Sequence, residues 1–251
     1  MSESDVVSRL RAAGCVFAED EARVLAEAAG SPSELEVMVE RRASGLPLEH
    51  VVGWAGFCGL RIAVDPGVFV PRRRTEFLVE RAVSLGGSVV LDLCCGSGAV
   101  AAALSALLRP AEVHAADVDP AAVRCARRNV PGGRVYEGDL FAPLPPGLRG
   151  RVELLCANVP YVPTGDVGFL PAEARDHEPR VSLDGGSDGL DVLRRVAGEA
   201  SAWLAGGGHL LVETSDRQVG AALAAFERGG LRARVSSDEE RGANVVIGTK
   251  V

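Results

Sequence analysis

Lysine is almost missing from this chain. Lys250 is the only one, and arginine supplies the remaining positive side chains. The formal net charge is −7, and residues 1–50 alone hold ten acids against five arginines. A protein that tracks nucleic acid needs a basic stripe to displace counterions. None is visible, so stable nucleic-acid binding is not expected. Only Arg72-Arg73-Arg74 breaks the pattern, as a solvated turn or as a hold on one anion. Cysteine and histidine never cluster. The six cysteines include no C-x-x-C pair and the four histidines stand singly, so no metal site is expected. The cysteines lie mostly in apolar runs and read as small core residues rather than a disulfide framework. No stretch reaches the ~18 apolar residues of a membrane span. The opening MSESDVVSRLRAAG lacks the basic start and apolar block of a secretory signal. A cytoplasmic protein is the expectation, and nothing in the composition speaks to oligomeric state.

With 251 residues, 47% of them apolar, the chain is long enough for one large domain plus a small appendage. Residues 1–45 read as about three helices. DVVSRLRAAG and FAEDEARVLAEAAG each show helical apolar spacing and stop at glycine. SPSELEVMVERRASG opens on a serine cap with proline in its first turn. Residues 46–75 change to Gly, Val and aromatics, with alternation in LRIAV and GVFV, and read as a linking β-hairpin. Residues 76–251 then alternate strand and helix: SVVLDL, EVHAAD, RVYEGD, VELLCAN and GHLLVET are strands with helices between most of them. The final pair LRARVSS and NVVIGTK is joined too tightly for a crossover helix and must run antiparallel at the sheet edge. The expected fold is α/β, a doubly wound, seven-stranded, mostly parallel sheet.

In open sheets of this kind, ligands lie at the carboxyl ends of the strands. LDLCCGSG puts Asp92 at such an end, followed by the turn Cys94-Cys95-Gly96-Ser97-Gly98. Asp117 ends the next strand, 19 residues after Gly98, near the spacing at which a carboxylate reaches ribose hydroxyls. Asp139 ends the third strand, placed to meet an adenine amino group, with Leu140 packing against the base. The turn also fits a loose dinucleotide pattern. However, a carboxylate at Asp92 would face the pyrophosphate of NAD and repel it. It suits instead the ammonium of a methionine moiety, so the residues favour S-adenosylmethionine.

The stretch LLCANVPYVP carries the second site. Asn158 ends an apolar strand, and the stiff turn Val159-Pro160-Tyr161 follows. Together the Asn158 amide and the Val159 carbonyl offer two acceptors to one planar NH₂, and Tyr161 offers an aromatic face. This pattern, downstream of the glycine turn, resembles methyltransferases that act on planar nitrogens, among them DNA adenine methyltransferases and release-factor glutamine N5-methyltransferases. GLPLEHVVGWAGFCGLRIAVDPGVFVPRRRTEFLVE, EPRVSLDGGSDGLDVLRRV and AGGGHLLVETSDRQ closely resemble blocks of the glutamine methyltransferase family, in order, from about Gly45 to the C-terminus. The resemblance implies that Gly96, Gly98, Asp117, Leu140 and Asn158 frame an S-adenosylmethionine pocket. It implies that Asn158 through Tyr161 hold a glutamine side chain, that residues 1–45 help grip a protein substrate, and that this substrate is a release factor.

Four departures from the family pattern stand out. The usual Asn-Pro-Pro-Tyr is Asn158-Val159-Pro160-Tyr161. The usual Arg-Pro-Glu-Thr-Glu is Arg72-Arg73-Arg74-Thr75-Glu76. The first motif glycine is Cys94, and Asn244 stands where the family usually has arginine. Nucleic-acid adenine and small-molecule amides or amines remain as alternative acceptors, and a cofactor-binding module without turnover as a reading of another class. Elsewhere His177 reads as a lone surface histidine, Glu178 and Arg180 as loop braces, Glu213 as an edge acid, and Trp54 and Phe57 as hairpin packing.

Overall fold

A computed structural model describes residues 1–251. Four helices come first: α1 (Glu3–Ala12), α2 (Ala18–Ala28), α3 (Pro32–Ala43) and the short α4 (Leu48–Val52). Their starts follow the caps in the sequence. Ser2 and Asp5 form a reciprocal capping box, and Ser31 caps α3 ahead of Pro32. Val6, Leu10, Ala22, Leu25 and Val39 line up on the inner faces and form a small core of their own. Arg42 ties this unit together and to the rest of the chain. It donates to both Glu21 oxygens (2.6 and 3.1 Å) and to the Leu46 carbonyl (3.1 Å), and it pairs with Glu173 at 2.7 Å. The Arg42 and Glu21 side chains are only 7% and 12% exposed. Arg42→Ala is therefore expected to lower unfolding free energy by about 3–5 kcal/mol, because Glu21 is left charged and buried without a partner. Urea unfolding measures this, and Arg42→Lys, which keeps the charge but not the fork, should fall between.

Of residues 46–75, expected to form a linking hairpin, only β1 (Trp54–Phe57) and β2 (Leu60–Ala63) pair; residues 48–52 are the helix α4, whose Val51 joins the N-terminal core. The two-residue turn of the hairpin, Cys58-Gly59, has positive φ at both positions (48° and 74°), as the twist of paired strands favours. The alternation in GVFV belongs to no strand. Val68 and Val70 are buried, yet the Val68 carbonyl meets His50 Nε2 (2.8 Å) and the Val70 N–H donates to Glu178 (3.2 Å). Side chains, not a neighbouring strand, satisfy that backbone.

The remainder runs α5 (Glu76–Leu85), β3 (Val89–Leu93), α6 (Ala99–Leu108), β4 (Glu112–Asp117), α7 (Pro120–Asn129), β5 (Arg134–Glu137), β6 (Val152–Ala157), α8 (Ala172–His177), α9 (Asp191–Trp203), β7 (Leu204–Thr214), α10 (Val219–Arg228), β8 (Leu231–Asp238) and β9 (Ala243–Lys250). The seven-stranded sheet has the order β5-β4-β3-β6-β7-β9-β8. The first five are parallel, and β9 is antiparallel to both β7 and β8. Side-chain alternation divides the core. Leu91, Leu93, Leu155, Leu210 and Val212 face α9 and α10, while Val90, Leu154, Cys156 and Leu211 face α5 and α6. No helix is long and apolar enough to cross a membrane.

Candidate active site

Strand order reverses between β3 and β6, since β3 leads outward to β4 while β6 leads the other way to β7. Such a reversal opens a crevice beyond the carboxyl ends of the strands. A cavity of about 820 Å³ lies there. Its lining includes Asp92, Cys94, Cys95, Gly96, Ser97, Asp117, Asp139, Leu140, Asn158, Val159, Pro160 and Tyr161. The topology thus gathers almost every residue assigned to the two sites in the sequence. Gly98 is the exception. It caps α6 at φ 78°, and a side chain there would meet Ala126 at 3.0 Å, so its smallness serves helix packing behind the turn.

The glycine turn is closed on itself. The Cys95 N–H donates to the Ala116 carbonyl (3.1 Å), Gly96 to Asp117 Oδ2 (2.8 Å), and Gly98 to the Cys95 carbonyl (2.7 Å). The Ala101 N–H, in the first turn of α6, donates to Asp92 Oδ2 (3.0 Å). A pyrophosphate needs such N–H groups free, and a carboxylate already stands at this helix N-terminus. The protein uses these four N–H groups itself. That arrangement fits a ligand without phosphate. Cys94 holds the left-handed conformation (φ 54°) that the family's glycine would adopt freely.

Asp92 is 1% exposed, and its other oxygen accepts no hydrogen bond. Burial pushes its carboxyl up to about 8, with the Ala101 N–H opposing and the Asp117 charge adding. Asp117 also accepts from the Asp119 N–H (2.9 Å), and burial raises its pKa too. Asp139 lies two residues beyond the end of β5, not on it, because Gly138 (φ 155°) breaks the strand. One Asp139 oxygen pairs with Arg195 on α9 at 2.5 Å. Leu140 is buried in the cavity wall.

At the far side, Asn158 follows β6 directly. Its Nδ2 donates to Thr75 Oγ1 at 3.4 Å, which turns Oδ1 the other way. Neither Asn158 Oδ1 nor the Val159 carbonyl accepts a hydrogen bond from the protein. The stiffness lost with the missing proline is replaced by packing, since the Val159 side chain is buried in the main core. The turn is also braced from behind. A side chain at Gly185 would sit 2.6 Å from the Pro160 carbonyl oxygen, and one at Gly189 would sit 2.2 Å from that of Tyr161. Gln218 Nε2 donates to the same Tyr161 carbonyl (2.9 Å) and to that of Asp188 (3.0 Å). These glycines and Gln218 were missed as site residues, although LDGGSDGLD and ETSDRQ stood out as blocks.

Two of the three clustered arginines are paired with buried acids, while Arg73 is exposed and pairs with none. Arg72 grips both oxygens of buried Glu178 (2.7 and 2.6 Å). Arg74 Nε donates to Glu213 (2.9 Å), and that acid is buried rather than exposed at an edge. Phe57 is buried in the cavity wall, while Trp54 carries Arg61 over its ring at 3.9 Å. His177 makes no hydrogen bond through its side chain and lies outside the lining.

Comparison with known proteins agrees with this geometry. Residues 59–161 match a family model described as the methyltransferase small domain. The release factor glutamine methyltransferase of Geobacter sulfurreducens is 39% identical over 230 residues, covering 88% of this chain and 80% of that protein. This chain belongs to the release factor glutamine methyltransferase family. Another relative, the 4-amino-L-phenylalanine/4-methylamino-L-phenylalanine methyltransferase of Streptomyces pristinaespiralis, is 35% identical over 210 residues, covering 79% of this chain and 71% of that one. Among solved structures, a methyltransferase from Pyrococcus furiosus shares the fold at a TM-score of 0.60. It is 17% identical and covers 87% of this chain and 98% of its own.

Proposed function

We propose that this protein methylates the side-chain amide nitrogen of a glutamine, in the Gly-Gly-Gln loop of a peptide chain release factor, in the cytoplasm, with S-adenosylmethionine as donor. The observation that carries this reading is the pair of unpartnered acceptors, Asn158 Oδ1 and the Val159 carbonyl, on one wall of the cavity. S-adenosylmethionine supplies a methyl group on a sulfonium, electrophilic enough that no covalent intermediate with the protein is needed. Asp92 would hold its ammonium, Asp117 its ribose hydroxyls, and Asp139 with Leu140 its base; the closed glycine turn supports a donor lacking phosphate.

An amide nitrogen is a weak nucleophile because its lone pair is shared with the carbonyl. The protein's task is therefore positioning, with the reacting atoms held about 3–3.5 Å apart and in line. The two N–H groups of the glutamine donate to Asn158 Oδ1 and the Val159 carbonyl, and Tyr161 covers one face. The same oxygens stabilise positive charge as it develops on nitrogen. A bound donor would give up its S–C bond as the N–C bond forms, and the surplus proton would leave to water. Residues 1–45 are read as the part that grips the protein substrate, a role supported by exposed Val16, Phe17 and Val37.

A second reading, methylation of the amine of a free amino acid, is favoured by the Streptomyces pristinaespiralis relative. Incubation with S-adenosylmethionine and purified release factors, followed by peptide mass mapping, separates the two. A one-methyl increase on the loop glutamine is expected. A release factor left unmodified while a free amino acid is methylated overturns the first reading.

A further inference from the structure

The Arg74 guanidinium lies in the cavity lining beside the Asn158–Tyr161 turn. Its Cζ lies 5.4 Å from the centre of the Tyr161 ring, and the next residue, Thr75, anchors Asn158. Its Nε is fixed on Glu213, whose side chain is 3% exposed and whose second oxygen is buried with no partner at all. Keeping a buried carboxylate there is costly, and what it achieves locally is to fix the direction of one arginine. The two terminal nitrogens of Arg74 donate to nothing in the protein, and the side chain, part of the cavity lining, is 44% exposed. The other arginines of the lining are engaged, Arg72 with Glu178 and Arg195 with Asp139. With Nε occupied, the edge that remains is the flat Nη1/Nη2 fork, which matches the two oxygens of a carboxylate.

The fork is poorly suited to the oxygen of the target amide itself. A cation on that carbonyl would draw the lone pair further from nitrogen and weaken the nucleophile. Resting on the function proposed above, we propose that Arg74 selects the methyl acceptor by holding a carboxylate that the acceptor carries close to its reacting nitrogen. Two sources share this chemistry: an acidic side chain beside the glutamine of a protein, and the α-carboxylate of a free amino acid.

The test uses the full-length protein with S-adenosylmethionine and matched acceptors. One pair is glutamine peptides with an acidic or a neutral residue beside the glutamine. The other is free glutamine, or 4-aminophenylalanine, with its α-carboxylate intact or amidated. The wild type is expected to show a KM about tenfold or more lower for the charged member of one pair, as a charge-assisted fork implies. The pair that responds names the source. Arg74→Gln should erase that ratio, and Arg74→Lys should keep part of it. Glu213→Gln, which loosens the arginine without removing it, should shrink the ratio less. Calorimetric titration with S-adenosylmethionine checks that each variant still binds the donor. A ratio near one in the wild type, or the same ratio in Arg74→Gln, overturns the inference and leaves the function standing. Methyl transfer to none of these acceptors, nor to a purified release factor, overturns both.

Discussion

Asn158→Ala is expected to transfer methyl groups about 10²–10³ times more slowly than the wild type, the usual loss when one preorganised dipole is removed from a reacting centre. Two features make this side chain more than a wall. Its Nδ2 is spent on Thr75, so the amide cannot swing freely and its oxygen keeps one direction. The turn behind it is locked by Val159 in the core, by close backbone contact with Gly185 and Gly189, and by the Gln218 hydrogen bond. Alanine removes the acceptor without disturbing that frame. The loss should therefore fall on the single-turnover rate, with donor affinity changed far less. Thr75→Val, which frees the amide to rotate but keeps its oxygen, should cost about tenfold, less than the ~10² of a full 1 Å misplacement because the Thr75 contact is long at 3.4 Å. A wild-type rate in Asn158→Ala would remove the two-acceptor clamp from the mechanism.

The sheet was legible because its signals are local. VVLDL and VELLCA are short apolar runs broken by one acid each, a composition that suits a strand buried on both faces. Proline after a serine or aspartate marked the starts of α3 and α7 for the same reason. The strand-end carboxylates and Asn158 could be placed on one rim because parallel strands present their carboxyl ends together. What stayed hidden depends on sheet order. Arg72 meets Glu178 across 106 residues and Arg74 meets Glu213 across 139, pairings that no periodicity announces. They arise because β6 lies beside β7 and the loop before α9 folds back over the rim. The brace on the Asn158 turn has the same origin. Local pattern also misled. Val68 and Val70 alternate like a strand, but they are buried one by one under the hairpin, with His50 and Glu178 completing their backbone.

Affinity for S-adenosylmethionine is expected to rise with pH between 6 and 7.5, by up to about thirtyfold, if Asp92 receives the donor's ammonium. Burial raises the Asp92 carboxyl from its ordinary 3.8 to about 8, so without ligand the group is mostly protonated across this range. A bound cation demands the carboxylate, and binding must release that proton, which costs about tenfold in affinity for each pH unit below the raised value. The rise should flatten as the donor's own amino group begins to lose its proton, at about 7.7–8.0. Stability carries the opposite sign. The folded chain holds a proton on Asp92 that the unfolded chain has released between 3.8 and about 8. This contribution is complete at the acid end of that window and is lost as pH rises through it. Asp92→Asn keeps an acceptor for the Ala101 N–H and removes both dependences: its unfolding free energy should lose that slope, and its donor affinity should be weak and flat with pH. Calorimetric titration at several pH values reads the first effect and urea unfolding of the free protein the second. Donor affinity that is equally tight at pH 6 and 7.5 in the wild type would mean that the ammonium lies elsewhere, and that Asp92 serves only to close the N-terminus of α6.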